Sequence, residues 1–206
     1  SGALKGSAFG TGEGALLILG YGGARETVDW QIAEARRIVR RAAPAAKRDV
    51  AQAGDAAQAE VLGDRDAPWE PVHGTLLDLH GRTRDDEVVL RMHVPDAVLI
   101  PRIAEALRLA RSAGIAARYA AHAGSGTARI AFSGASASAG GEFSRRLRSL
   151  AEADGGHLIV ERAPQSLRES VGVFGTPRGD FFLHRAVKER MDPKGTLSPG
   201  RFIGGI

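Results

Sequence analysis

The sequence contains no cysteine, which excludes a disulfide framework, a thiolate metal site and a cysteine-held iron–sulfur cluster built from this chain. The same absence fits a reducing compartment, so the expected location is cytoplasmic. No apolar run approaches the roughly 18 residues that a membrane-spanning helix requires, and the small, polar segment 1–14 has no signal-peptide pattern. Metal-ligand spacing is also lacking: among His80, His93, His122, His157 and His184 no pair falls at His-x-His or four apart on a helix, so no metal is expected. The chain opens Ser-Gly rather than with Met, and its first residues are expected to be an appended or internal start.

What is present is a chain of 206 residues, 43% hydrophobic, enough for one sizeable core. A net charge of +4 raises the question of a nucleic-acid partner. The arginines that produce it, such as Arg36, Arg37, Arg40 and Arg41, and again Arg145, Arg146 and Arg148, interleave with apolar positions at helical spacing. Solvated helix faces are the expected outcome, with no nucleic acid bound.

The clearest organisation lies in residues 87–163. Residues 88–94 read as a strand, 95–114 as a helix, 115–122 and 127–132 as two strands of a hairpin through Gly124 and Gly126, 133–141 as a Gly/Ser/Ala loop, then a helix carrying Phe143, Leu147 and Leu150, and 157–162 as a last strand. The order β-α-β-β-α-β predicts an α+β fold of ferredoxin-like type, an antiparallel sheet with helices on one face and the other face open. A first β-α half is expected over about 14–80, with strands at 15–20 and 75–80, helices at 26–42 and 51–62, and a connection at 81–87. After 164 a helix over about 180–191 ends at Asp192-Pro193 and leads into an irregular tail to 206.

Strand alternation then sorts the side chains. Leu90, Met92 and Val94 should face the helices, leaving Val89, Arg91 and His93 opposite; Ala128, Ile130 and Phe132 leave Arg129 and Ala131; Leu158 and Val160 leave His157, Ile159 and Glu161. The first and third strands are central neighbours in this topology, which predicts Arg91 beside Arg129 on the open face, a receptor for a carboxylate or phosphate. An open face that is polar because water covers it is the alternative. The run from His122 to Gly126 carries two glycines but leads into a strand, so it lacks the helix N-terminus of a dinucleotide-binding loop.

The residues from Asp192 to Arg201, DPKGTLSPGR, are similar to the closing D-P-x-G-x-L-N-P-G-K/R of FAD-linked oxidases of the vanillyl-alcohol-oxidase superfamily, with Lys188 on the preceding helix. Leu90-Arg91 before Val94-Pro95, Gly155-Gly156-His157 before the last strand, Ala67-Pro68-Trp69, and the ending from Phe202 to Ile206 follow in the family's order. Within the family the chain most resembles the FAD-binding subunits of glycolate oxidases. The resemblance implies a cap or substrate domain spanning 1–206, with FAD held mainly by an N-terminal FAD-binding domain not contained in these residues. It implies as partners that domain, other oxidase subunits including an iron–sulfur protein, and a small 2-hydroxy acid such as glycolate. On this basis Arg91 and Arg129, with His93, His122 and Glu161, are the expected substrate-binding residues, and Ser198, Gly200 and Arg201 the expected cofactor-binding ones.

Metal-dependent relatives carry H-x-G-D-G-N-x-H in the hairpin. Here Ser125, Thr127 and Arg129 replace the aspartate, the asparagine and the second histidine, and Glu161-Arg162 replaces a Glu-His pair. A guanidinium repels a cation, so the resemblance too implies no metal. Two other functions compete. An RNA-recognition module shares the strand order but stacks bases on aromatics, and the open-face positions have no Phe or Tyr. A non-catalytic ligand-binding or interaction domain of the same fold is the other.

Overall fold

The computed structural model describes residues 19–49 and 87–206, and the chain divides into two compact units, Ser1–Leu77 and Asp78–Ile206. In the first unit, helix α1 spans Arg25–Asp49, with Glu26 in its first turn, where a carboxylate meets the positive end of the helix dipole. The sequence pattern ended this helix at 42. Alanines at 42, 43, 45 and 46 carry it on past Pro44, because alanine has the highest helix propensity. Of the strand expected at 15–20, only Leu19 and Gly20 are described, and neither is in a strand. The expected helix 51–62, strand 75–80 and, apart from Glu87, connection 81–87 lie outside the described residues.

The second unit is α+β. Its order is β1 (Val88–His93), α2 (Asp96–Ser112), β2 (Ala117–His122), β3 (Thr127–Phe132), α3 (Ala137–Ala153) and β4 (His157–Arg162). The four strands form one antiparallel sheet in the order β2-β3-β1-β4, with β1 and β3 central, the ferredoxin-like arrangement. Strand alternation supplies one layer of the core, with Leu90, Met92, Ala128, Ile130, Phe132, Leu158 and Val160 all buried. The other layer comes from Leu99, Ile103, Ala106 and Ala110 of α2 and from Phe143, Leu147 and Ala151 of α3. Each fully buried Leu, Ile or Phe contributes about 1.5–3 kcal/mol relative to exposure. The Phe132 and Phe143 rings meet edge to face, 5.3 Å between centroids. At the far end of the two helices Arg102 of α2 forms a two-pronged ion pair with Asp154, and that guanidinium holds the Asp154 carboxyl below its ordinary pKa.

Two departures from the sequence reading have local causes. Helix α3 starts at Ala137, inside the expected 133–141 loop, because the Ser136 hydroxyl accepts a hydrogen bond from Ala139 N at 3.2 Å and caps the first turn. Gly140 sits within the helix because a Cβ there would lie 3.2 Å from the Phe132 ring. A further helix, α4 (Gln165–Val171), follows β4 and adds Leu167 and Val171 to the core. Seven residues are too few for a periodic signal, and its end is held in space instead: Arg148 of α3 donates to the carbonyls of Val171 and Gly172. Helix α5 (Phe181–Met191) precedes the tail and buries none of its residues.

Candidate anion-binding site

The face of the sheet away from α2 and α3 is ordered in rows, each read across β2, β3, β1 and β4. The first is Arg118, Ala131, Val89 and Arg162; the second Ala120, Arg129, Arg91 and Ile159; the third His122, Thr127, His93 and His157. Arg91 and Arg129 are direct cross-strand partners. Like charges so placed repel unless a counter-ion joins them, and Glu161 is that ion. Arg129 Nε and Nη2 donate to its carboxylate at 2.7 and 3.3 Å, and Arg91 Nε lies 3.2 Å from Oε1.

Glu161 reaches both arginines from an irregular position. Val89 pairs with Arg162 while the next residue, Leu90, pairs with Val160, so Glu161 is the extra residue of a β-bulge. Unbroken alternation would have pointed Arg162 into the core beside Leu158 and Val160. The bulge turns Arg162 out to the row of Val89 and aims the glutamate along the sheet. The three side chains are 40% (Arg91), 30% (Arg129) and 26% (Glu161) exposed, so a ligand can reach them. Two guanidiniums bring about ten N–H donors between them, and Glu161 uses only a few. The cluster retains a net positive charge and free donors, the requirements of an oxyanion receptor.

The third row lies two residues further along the strands. His93 and His157 are cross-strand partners with ring centroids 5.2 Å apart. On its other side the His93 Nδ1 lies 3.3 Å from Thr127 Oγ1, and Thr127 and Ser125 link it to His122, whose Nδ1 is 2.9 Å from Ser125 Oγ. Arg178, from the segment before α5, donates to the Gly156 carbonyl next to His157. Burial first, and then the charges of His93, Arg178 and Arg91, hold His157 below the ordinary imidazole pKa.

Of the expected substrate-binding residues, the structure brings Arg91, Arg129 and Glu161 into direct contact, places His93 in the next row, and leaves His122 at the β2 edge. Sequence reasoning did not single out His157, Thr127 or Arg178. Parity alone put His157 on the open face, and its pairing with His93 follows from the antiparallel register. Arg178 arrives on a loop, and no sequence pattern points to it.

The expected cofactor residues lie on the tail. Ser198 has φ 45° and Gly200 φ 72°, a turn in which Arg201 N donates to Ser198 O at 3.2 Å. The tail folds back on α5, with the Phe202 ring 5.6 Å from Phe174 and 5.9 Å from His184. Gly200 borders a cavity of about 400 Å3 that also presents Lys188, Glu189 and Asp192. Lys188 Nζ, the one cation of that lining, is already taken by Leu197 O at 2.6 Å and Asp192 at 2.7 Å. That donor set does not fit the diphosphate of FAD.

Among the described residues no three His, Cys, Asp or Glu side chains are placed to hold a metal ion, and no helix is long and apolar enough to cross a membrane. Compared with models of known protein families and with curated proteins, the sequence matches none.

Proposed function

We propose that the chain is the substrate domain of a cytoplasmic flavin-dependent oxidoreductase acting on a small 2-hydroxy acid such as glycolate, and that its open sheet face receives the substrate carboxylate. The observation that carries this reading is the direct pairing of Arg91 with Arg129 on an accessible face. In this proposal FAD is supplied by a domain outside these residues, accepts the hydride, and is shared in an assembly with an iron–sulfur subunit. This chain's own residues bind and orient: the paired guanidiniums fix the carboxylate and so set which hydrogen of the substrate's second carbon faces the acceptor. The row positions carry no Phe, Tyr or Trp of the kind on which an RNA-recognition module stacks bases, which supports a small anion.

A second reading has an observation of its own. Glu161 already bridges both arginines, as in a structural ion triad of a non-catalytic ligand-binding or interaction domain. One pair of variants separates the two. If the cluster is a receptor, Arg91→Ala weakens glycolate binding by about tenfold to a hundredfold, the scale of a charge-assisted hydrogen bond. Glu161→Gln then tightens binding roughly twofold to fivefold, because a competing carboxylate of a partly exposed pair is removed. In the flavin-containing assembly Arg91→Ala raises KM more than it lowers kcat. Glycolate binding that ignores both substitutions leaves the triad a structural device and defeats the receptor.

A further inference from the structure

The third row of the sheet face has features that a monocarboxylate receptor does not use. His93 and His157 stand side by side, their rings 5.2 Å apart, and both residues are exposed. Two glycines permit this arrangement. A Cβ at Gly156 would lie 2.0 Å from the His93 carbonyl oxygen, and one at Gly126 would lie 2.0 Å from that of Val94. The end of β1 is therefore clasped between two backbones, which sets His93 between Thr127 and His157. Arg178, anchored on the Gly156 carbonyl, adds a guanidinium at the same end.

We propose that His93 and His157, with Arg178 beside them, form a second anion station, so that this face prefers a dicarboxylate, whose ends span the arginine row and the histidine row, to a monocarboxylate such as glycolate. The inference rests on the carboxylate reading of Arg91 and Arg129 and names the ligand class for that site. The rows are two residues apart along the strands, about 7 Å at the rise of an antiparallel strand. A five-carbon chain with a carboxylate at each end reaches from one row to the other.

The station is proton-linked. The charged and titratable groups on this face are Arg91 and His93 of β1, Arg129 of β3, Glu161, Arg162 and His157 of β4, His122 and Arg118 of β2, the latter paired with Glu87, and Arg178 from the segment before α5. Partial burial first, and then the cations around it, hold His157 below the ordinary imidazole pKa, so it is neutral at neutral pH in the free protein. A carboxylate placed against it offsets those cations and favours its protonation. Binding of the second carboxylate takes up a proton and tightens as pH falls.

The test compares glutarate with pentanoate, which have the same chain length and differ in one terminal carboxylate, by isothermal titration of the full chain. At about pH 6 glutarate is expected to bind roughly tenfold more tightly, and at about pH 8 the advantage falls to roughly twofold. In His157→Gln, a change at an exposed position, the advantage is lost at both pH values while pentanoate binding stays, and in the native chain glutarate raises the titration midpoint of the His157 C2–H signal in NMR. Equal binding of the two acids at the lower pH, or an advantage untouched by His157→Gln, overturns the second station while leaving the arginine receptor in place. Pentanoate binding that ignores Arg91→Ala, or no binding of either acid, defeats the receptor and this inference together.

Discussion

At the scale of single residues, the sheet face depends on two positions without side chains as much as on those with charge. Gly156 lets β4 approach β1 so closely that a methyl group there would overlap the His93 carbonyl, 2.0 Å away, and meet Val94 Cγ1 at 2.8 Å and the Ala151 carbonyl at 3.0 Å. Two of these neighbours are backbone carbonyls, of β1 and of α3, so neither can swing aside. Gly156→Ala is expected to destabilise the second unit by about 1–3 kcal/mol, the usual cost of overpacking a tight contact, as measured by chemical denaturation. It should also move the His157 ring away from His93 and let the imidazole titrate higher, nearer its ordinary value. An alanine variant of native stability and unchanged His157 titration would show that β4 has room to shift. Ser198 is the contrasting case. Its φ of 45° is the one positive value among the described non-glycine residues, at the place where the resembling motif has asparagine, a residue that adopts this conformation more readily.

At the scale of elements, α5 and the tail are joined by one carboxylate. Asp192 ends α5 and accepts from Thr196 N at 2.9 Å, Thr196 Oγ1 at 3.2 Å and Leu197 N at 2.9 Å, while Lys188 Nζ lies 2.7 Å away. The Lys188 ammonium first, and then the two backbone N–H groups, hold the Asp192 carboxyl far below the usual carboxylate range. The sign follows from that depression. The unfolded chain takes up this proton at a higher pH than the folded one, so the clasp contributes fully above the ordinary aspartate value of about 4 and is lost progressively as pH falls below it. Amide exchange at Thr196 and Leu197 should stay slow relative to intrinsic rates through neutral and mildly acidic pH and speed up only in stronger acid. Asp192→Asn should speed it at neutral pH and remove the acid step. If the exchange of both amides is the same in Asp192→Asn as in the native chain, the turn is ordered by its glycines and proline rather than by the carboxylate.

At the scale of the whole molecule, the stability of the second unit resides in the layer between the sheet and helices α2, α3 and α4, since α5 buries no residue and exposes Phe182, Leu183, Val187 and Met191. The proposal also carries an expectation for the chain as a whole. The His122 to Gly126 run leads into a strand rather than a helix, and the one cation of the tail cavity is already paired, so the purified chain should be colourless and should not retain FAD on gel filtration. Stoichiometric flavin absorbance co-eluting with this chain would move the cofactor site into it and overturn the assignment of FAD to another domain.

The sequence by itself determined the layer plan of the second unit. Period-2 alternation in β1, β3 and β4 and period-3.6 alternation in α2 and α3 admit one antiparallel sheet with helices on one face, and the same parity put Arg91, His93, Arg129 and His157 on the other face. Those signals are local, so they survive in the sequence. What only the tertiary structure decided is how these side chains are partnered. The bulge that delivers Glu161 to both arginines depends on the register of β4 against β1, the histidine pair on how closely Gly156 lets two backbones meet, and Arg178 on the path of a loop after α4. Each of these is a distance between segments far apart in the chain, and alternation along one strand carries no information about the offset of its neighbour.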